Sequence, residues 1–160
     1  MTKLKVRDLM TTEVLTLLPE DTIKKAAKKL ALENVSGAPI VDDRNHLLGF
    51  VSENDILTTI MRYQDRLDKE GVSGSLMEYA MDTVTDDDRL GQAVEQISDT
   101  PMSSIMVRSV MTTTPDAPII EVLRLMLKLG INRIPVLEKG ILVGIISRGD
   151  IIFSLYKRKA

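Results

Sequence analysis

Two stretches of the chain carry the same pattern of apolar positions. Ile23, Ala26, Ala27, Leu30 and Ala31 fall at i, i+3, i+4, i+7 and i+8, which sets them on one face of a helix. Ile119, Val122, Leu123, Met126 and Leu127 repeat that spacing 96 positions later. Asp21 is the predicted N-cap of the first helix. Asn34 and Gly130 stand at matching positions beyond the two helices, and these residue types best tolerate the left-handed conformation that closes a helix. The second helix also carries Leu125 and Leu129, so it is expected to be the more buried. Each helix is followed by two short apolar runs, residues 38–41 and 47–52 in one case, 134–137 and 141–147 in the other. Asp42-Asp43-Arg44-Asn45 and Glu138-Lys139-Gly140 separate the runs, which predicts antiparallel hairpins. A last helix starts near Asn54 and again near Gly149. It carries Ile56, Leu57, Ile60 and Met61 in the first case, and Ile151, Ile152, Leu155 and Tyr156 in the second.

The landmarks keep register. Pro115, Ile119 and Pro135 lie 96 positions after Pro19, Ile23 and Pro39. Gly144, Ser147 and Asp150 lie 95 after Gly49, Ser52 and Asp55, so one residue is lost in the hairpin turn. A shift confined to one turn is the mark of a duplicated unit, and two copies make a tandem pair rather than a solenoid. The segment Val6-Arg7-Asp8-Leu9-Met10-Thr11 reads as the opening of the first copy, returning as Val107-Arg108-Ser109-Val110-Met111-Thr112. In that register the first copy has five extra residues before its proline, and residues 14–17 alternate as a short strand. Each repeat is therefore expected to be β-α-β-β-α, an α/β (α+β) unit. The predicted division is a first repeat over residues 3–62, a helical linker over 63–104 and a second repeat over 105–157. Within the linker, Gly71-Val72-Ser73-Gly74-Ser75 reads as a turn and residues 76–81 and 90–97 as short helices. Asp86-Asp87-Asp88 offers a cap to the second of these, where the helix dipole favours carboxylates. The linker is expected to prolong the first repeat's last helix before crossing over.

Composition narrows the chemistry. The chain of 160 residues has no cysteine and one histidine, His46, which excludes disulfides, thiolate metal sites and multi-histidine sites. His46 lies in a polar turn and is expected to be solvated. A net charge of −2 gives no general drive toward nucleic acid or anionic membrane, and no basic helix is present. Lys157-Arg158-Lys159 reads as a solvated basic tail. No apolar run approaches the roughly 20 residues of a membrane helix, and residues 1–8 show no signal-peptide pattern, so the expected location is cytoplasmic. No nucleophile–base pattern, glycine-rich phosphate loop or metal cluster is present, and no enzyme activity is expected.

The Val-Arg-x-x-Met-Thr opening, the proline-led helix and the Ala-Pro-Ile-Val and Ile-Pro-Val-Leu strands form one ordered set of motifs. The Leu-Gly-Phe-Val-Ser and Val-Gly-Ile-Ile-Ser strands and Ser-x-x-Asp-Ile complete it. Two such sets make the chain resemble a pair of CBS domains, named for cystathionine β-synthase. The resemblance implies two α/β units packed through their sheets with pseudo-twofold symmetry and two clefts between them. Such clefts commonly take an adenosine-containing ligand: AMP, ADP, ATP or S-adenosylmethionine. The pair then acts as a regulatory module for a partner not identified by the sequence. It also implies a flat homodimer, for which the apolar residues 119–129 and 151–155 are the expected contact.

An adenine nucleotide needs an apolar slot for the base, a carboxylate for the ribose diol, and cations or helix N-termini for phosphate. In the second repeat Ile119, Ile134, Pro135 and Ile145 are the expected slot, with Thr114 at its mouth. The resemblance makes Asp150 the ribose carboxylate, with Ser147 beside it, and Arg133 the phosphate contact. The first repeat keeps Ile23, Ser36, Ser52 and Asp55 but has Leu18 for Thr114 and Gly37 for Arg133. The second cleft therefore ranks above the first for a phosphorylated ligand, unless a cation from the other copy reaches in. Ser-x-x-Asp at a helix start is equally a capping box, and one geometry fits both roles. Met10, Met111 and Met126 read as core or interface fillers. The alternative function is a ligand-free interaction or oligomerisation module with vestigial clefts.

Overall fold

The computed structural model of the chain describes residues 3–81 and 88–156. The chain opens with a one-turn helix, α1 (Val6–Leu9), that buries Val6. After an extended run comes α2 (Ile23–Glu33), which buries Ile23, Ala26 and Leu30 of the predicted stripe. Its N-cap is Thr22 rather than Asp21: the Thr22 hydroxyl accepts the Lys25 N–H at 3.2 Å. Asp21 folds back over the preceding turn instead and accepts the Leu18 N–H at 2.8 Å. It is 3% exposed and faces Lys25 and Lys29. Asn34 closes α2 in the left-handed conformation, with φ 54°.

Next come β1 (Gly37–Val41) and β2 (Leu47–Ser52), an antiparallel pair with Pro39 opposite Phe50. The chain continues into α3 (Glu53–Lys69), the prolonged helix the sequence implies, then α4 (Leu76–Ala80) and α5 (Asp88–Ser98). Asp86 and Asp87 lie outside the described residues, as does Lys157-Arg158-Lys159. A second one-turn helix, α6 (Met102–Ile105), leads to α7 (Ile119–Leu129), which closes on Gly130 with φ 67°. The antiparallel pair β3 (Arg133–Glu138) and β4 (Ile141–Ser147) and the helix α8 (Arg148–Ser154) complete the second repeat.

The opening strand of each repeat shrinks to a single parallel bridge. Leu17 bridges Ile40, and Thr113 bridges Val136. Leu17 and Thr113 are 96 positions apart, so the opening segment keeps the register of the rest and no residues are missing from the second copy. The partner of Met10-Thr11 is thus Met106-Val107, not Met111-Thr112. Packing confirms it. A β-carbon added to Gly144 would meet Met10 Sδ at 2.8 Å and the Thr11 carbonyl oxygen at 2.9 Å. One added to Gly49 would meet Met106 Sδ and the Val107 carbonyl oxygen, both at 2.8 Å.

The opening segments are exchanged between the repeats. α1 leads the first repeat along the chain but docks on the second. Val6 N–H donates to Ala117 O and Arg7 N–H to Pro115 O, both at 2.9 Å, and Arg7 pairs with Asp116. Val6 is buried with Ile119, Met126, Ile134 and Ile146. α6 docks on the first repeat. Met102 N–H donates to Asp21 O at 2.8 Å and Ser103 N–H to Pro19 O at 2.9 Å. Met102 is buried with Leu17, Leu30, Ile40 and Val51, in a core that the linker helices extend with Leu76, Leu90 and Ile97. At the hairpin tips the sheets are tied by Asn45 Nδ2–H to Leu142 O at 2.7 Å and Leu142 N–H to Asn45 O at 2.9 Å.

The expected deeper burial of α7 is found only in part: Leu123 and Leu125 are half-buried against the second core, whereas Leu129 stays exposed. The helix buries Ile119, Val122 and Met126, the same three stripe positions as α2. Ile120, Leu127 and Leu129 are 59%, 64% and 47% exposed. Ile152, Phe153, Leu155 and Tyr156 on or just after α8 are exposed too. These surplus apolar side chains face away from the two-stranded sheet.

Candidate functional site

Two cavities open where a hairpin of one repeat meets the opening segment and first strand of the other. The larger, about 340 Å³, has Phe50, Ser52 and Asp55 on one wall and Val107, Ser109 and Val110 on the other. Ile131, Asn132, Arg133 and Pro135 line it too, with Ser36, Gly37 and Met111. The smaller, about 200 Å³, has Ile145, Ser147 and Asp150 facing Thr11, Glu13 and Val14, with Val35, Gly37, Pro39 and Arg133. Apart from Ser36 and Asn132, which line only the larger, the cavities are pseudo-twofold mates position for position. Their differences are therefore readable as substitutions, Val107 for Thr11, Ser109 for Glu13 and Phe50 for Ile145, while Arg133 and its mate Gly37 line both.

Both Ser-x-x-Asp motifs form capping boxes. Ser52 and Ser147 end the hairpins in extended conformation and cap α3 and α8. The Asp55 N–H donates to Ser52 Oγ at 3.4 Å, and Asp55 Oδ2 accepts from Ser52 N–H at 2.8 Å and from its hydroxyl at 3.0 Å. The Asp150 N–H donates to Ser147 Oγ at 3.1 Å, and Asp150 Oδ2 accepts the Ser147 N–H at 2.9 Å. Capping uses one oxygen of each carboxylate. Asp55 Oδ1 accepts no hydrogen bond among the described residues, whereas Asp150 Oδ1 accepts the Thr11 hydroxyl at 3.3 Å. At Asp55, then, one carboxylate oxygen serves the cap and the other is left open.

Arg133 borders both cavities, and its Nη1–H donates to Gly37 O at 3.3 Å, across the junction of the repeats. Gly37 cannot carry a matching cation. A β-carbon there would lie 2.8 Å from both Phe50 Cε1 and the Val51 carbonyl oxygen.

Of the residues expected from sequence, Ile145, Ser147, Asp150 and Arg133 meet in the smaller cavity, and Ser36, Ser52, Asp55, Arg133 and Pro135 in the larger. Ile23, Ile119 and Ile134 line neither: they are buried in the two cores. Thr114 also lines neither and is exposed in the turn before α7. The grouping by repeat fails because each cavity joins the helix start of one repeat to the first strand of the other. Sequence reading missed Phe50, Val107, Ser109, Val110, Ile131 and Asn132 on one side, and Thr11, Glu13 and Val14 on the other. Met111 lines the larger cavity and is 41% exposed, not a core filler. Carrying the 96-residue register through the opening segment is the signal that finds them.

Among the described residues no group of His, Asp or Glu is placed to hold a metal ion, and no helix is long and apolar enough to cross a membrane.

The family profile described as CBS domain matches residues 6–62 and 102–157. The uncharacterized protein MJ1426 of Methanocaldococcus jannaschii is 29% identical over 152 residues, which cover 94% of this chain and 90% of that protein. The chain spans 41% and 14% of the length of two other curated relatives. Among solved structures, CBSX2 of Arabidopsis thaliana in complex with AMP superposes with a TM-score of 0.70 at 23% identity, covering 98% of both chains. The CBS domain pair of protein MJ0100, solved with 5′-methylthioadenosine and S-adenosyl-L-methionine, superposes with a TM-score of 0.64 at 24% identity. That match covers 99% of this chain and 100% of the other. At these identities the fold is what is shared.

Proposed function

The chain belongs to the CBS domain family as a tandem pair, and from that premise we propose that it is a regulatory module sensing an adenine nucleotide of the AMP, ADP or ATP class in the Asp55 cleft. One observation carries the reading: three unlike chemistries meet in one cavity. Asp55 offers an oxygen without a partner, Arg133 a guanidinium, and Phe50, Val110, Ile131 and Pro135 an apolar wall. A ribose diol donates to a carboxylate, phosphate accepts paired guanidinium hydrogens, and a base needs a flat apolar slot. The AMP bound by CBSX2 and the 5′-methylthioadenosine and S-adenosyl-L-methionine bound by the MJ0100 pair support an adenosine-containing ligand, and the AMP complex supports a phosphorylated one.

Size supports this cleft over its mate. Small-molecule pockets occupy about 300–1,000 Å³. At about 340 Å³ the Asp55 cavity falls within that range, while the Asp150 cavity at about 200 Å³ does not. The preference inferred from sequence for the Asp150 cleft rests on Arg133, which borders both clefts, and so is not kept. A ligand at Asp55 touches both repeats. It shifts their arrangement to the extent that it binds one arrangement better than another. No catalytic step is assigned. The exposed apolar residues of α7 and α8 are covered by a second copy in a homodimer, and the regulated protein is a separate partner. Those same residues favour the second reading, an interaction module that binds no ligand, and the two readings part on titration.

The test is thermal melting and calorimetry with AMP, ADP and ATP. A true ligand at 100 times its Kd adds about 2.7 kcal/mol of stability. Asp55→Asn keeps a capping oxygen but removes the free acceptor, and should weaken binding more than Asp150→Asn. No stabilisation by any of the three at millimolar concentration would leave the interaction module standing. Equal losses in the two variants would sink the choice of cleft.

A further inference from the structure

Arg133 is the one cationic side chain lining either pseudo-symmetric cavity among the described residues, and it lines both. Arg108, next to Val107, turns back to the Ser103 carbonyl at 3.4 Å. The mate of Arg133 is Gly37, where Phe50 and the Val51 carbonyl leave no room for a side chain. The mate of Ser109 is Glu13, which adds a second carboxylate to the Asp150 cavity. A phosphate in that cavity would face Asp150 and Glu13 with a guanidinium it must draw from across the junction. One in the Asp55 cavity would face a single carboxylate and the same guanidinium. Thr11 is a weaker obstacle. At 3.3 Å its bond to Asp150 is long for O–H···O, and a ribose diol can displace it.

We propose that the two clefts draw on one shared guanidinium, so the chain takes one phosphorylated nucleoside at a time, and that Glu13 assigns it to the Asp55 cleft. This rests on the adenine-nucleotide reading above and adds stoichiometry and its determinants. Filling one cleft commits Arg133 and leaves the other with carboxylates alone, a mutual exclusion built from a single side chain.

Titration calorimetry with AMP tests it on the full chain. The wild type should take one equivalent per chain. Glu13→Lys supplies the missing cation at an exposed position, outside both cores, and should raise the stoichiometry to two. Arg133→Ala should weaken AMP by about tenfold or more while leaving adenosine, which has no phosphate, unchanged. Two equivalents on the wild type overturn the sharing but leave the adenine-nucleotide reading intact. So does one equivalent of unchanged affinity on Glu13→Lys. An absence of binding of AMP, ADP and ATP alike by both proteins overturns both.

Discussion

Gly49→Ala tests the exchanged segments where they form a wall of the cleft. Gly49 sits in β2 opposite Ile40, directly beneath the segment that carries Val107. An added β-carbon would lie 2.8 Å from Met106 Sδ and 2.8 Å from the Val107 carbonyl oxygen. The thioether can swing aside, but the carbonyl cannot without cost. Val107 O accepts the Phe50 N–H at 2.9 Å, and Val107 N–H donates to Phe50 O at 2.8 Å. Overpacking a tight contact costs about 1–3 kcal/mol, and the two bonds are worth about 1 kcal/mol each. These terms overlap, so the expected loss is about 2–4 kcal/mol, which in a chain of this size lowers Tm by on the order of 10 °C. Moving Val107 also moves Ser109 and Val110, so AMP affinity should fall with stability. Gly144→Ala is the matched control, since its β-carbon meets the Thr11 carbonyl oxygen at 2.9 Å. It should destabilise by a similar amount and spare AMP binding at Asp55. Thermal melts and AMP titrations on both variants decide. A Gly49→Ala protein melting within about 2 °C of wild type would refute the close approach. Equal loss of AMP affinity in both variants would refute the assignment of walls to clefts.

Two further outcomes follow from the packing. Burial pushes the Asp21 carboxyl up, but the Leu18 N–H and the ammonium groups of Lys25 and Lys29 more than offset it, and its pKa is lowered. A carboxyl lowered on folding contributes stability that is complete above its unfolded value of about 3.9 and is lost as pH falls through the folded value. Asp21→Asn should therefore cost about 1–3 kcal/mol at pH 7 by urea unfolding, and the gap to wild type should narrow below about pH 4. A gap unchanged down to pH 3 would count against the ion pairs. Leu127→Glu combined with Phe153→Glu alters only exposed side chains and should convert a dimer to a folded monomer by light scattering. A monomeric wild type at high concentration, or a dimeric variant, would end the dimer proposal.

The helices and hairpins were legible because their signals are local. A 3.6-residue stripe, a polar turn between apolar runs and a left-handed closing residue at Asn34 and Gly130 each act within a few residues of chain. The opening segment was not legible for the opposite reason. The likeness of Val6–Thr11 to Val107–Thr112 is a match of side chains, but the docking of Thr11 on Ile145 and Val107 on Phe50 uses backbone N–H and C=O groups. Any residue supplies those, so their pairing leaves no trace in residue type. The same register error hid half of each cleft. Arg133 belongs to the second repeat in sequence, and nothing local reveals that its guanidinium reaches Gly37 in the first. At Ser52 and Asp55 the sequence left capping and ribose binding undecided, and the geometry shows why. Capping occupies only Oδ2.

The exchange also explains why the two repeats work as one object. Val6 and Met102 are fully buried, each in the core of the repeat other than the one that follows it along the chain. Removing α1 would unpack the second core, and removing α6 the first, so neither half keeps its own interior intact. The clefts inherit this. The Asp55 cleft is walled by β2 and the start of α3 from one repeat, by β3 from the other, and by the chain leaving α6. Each wall is anchored in a core. A ligand that pulls Arg133 off the Gly37 carbonyl and binds Asp55 therefore acts on two cores at once through short, hydrogen-bonded connections. A change of spacing between the repeats is then the softest available response, because rearranging close-packed interiors costs more than shifting the interface between them. A partner that contacts both repeats would be placed to read that change.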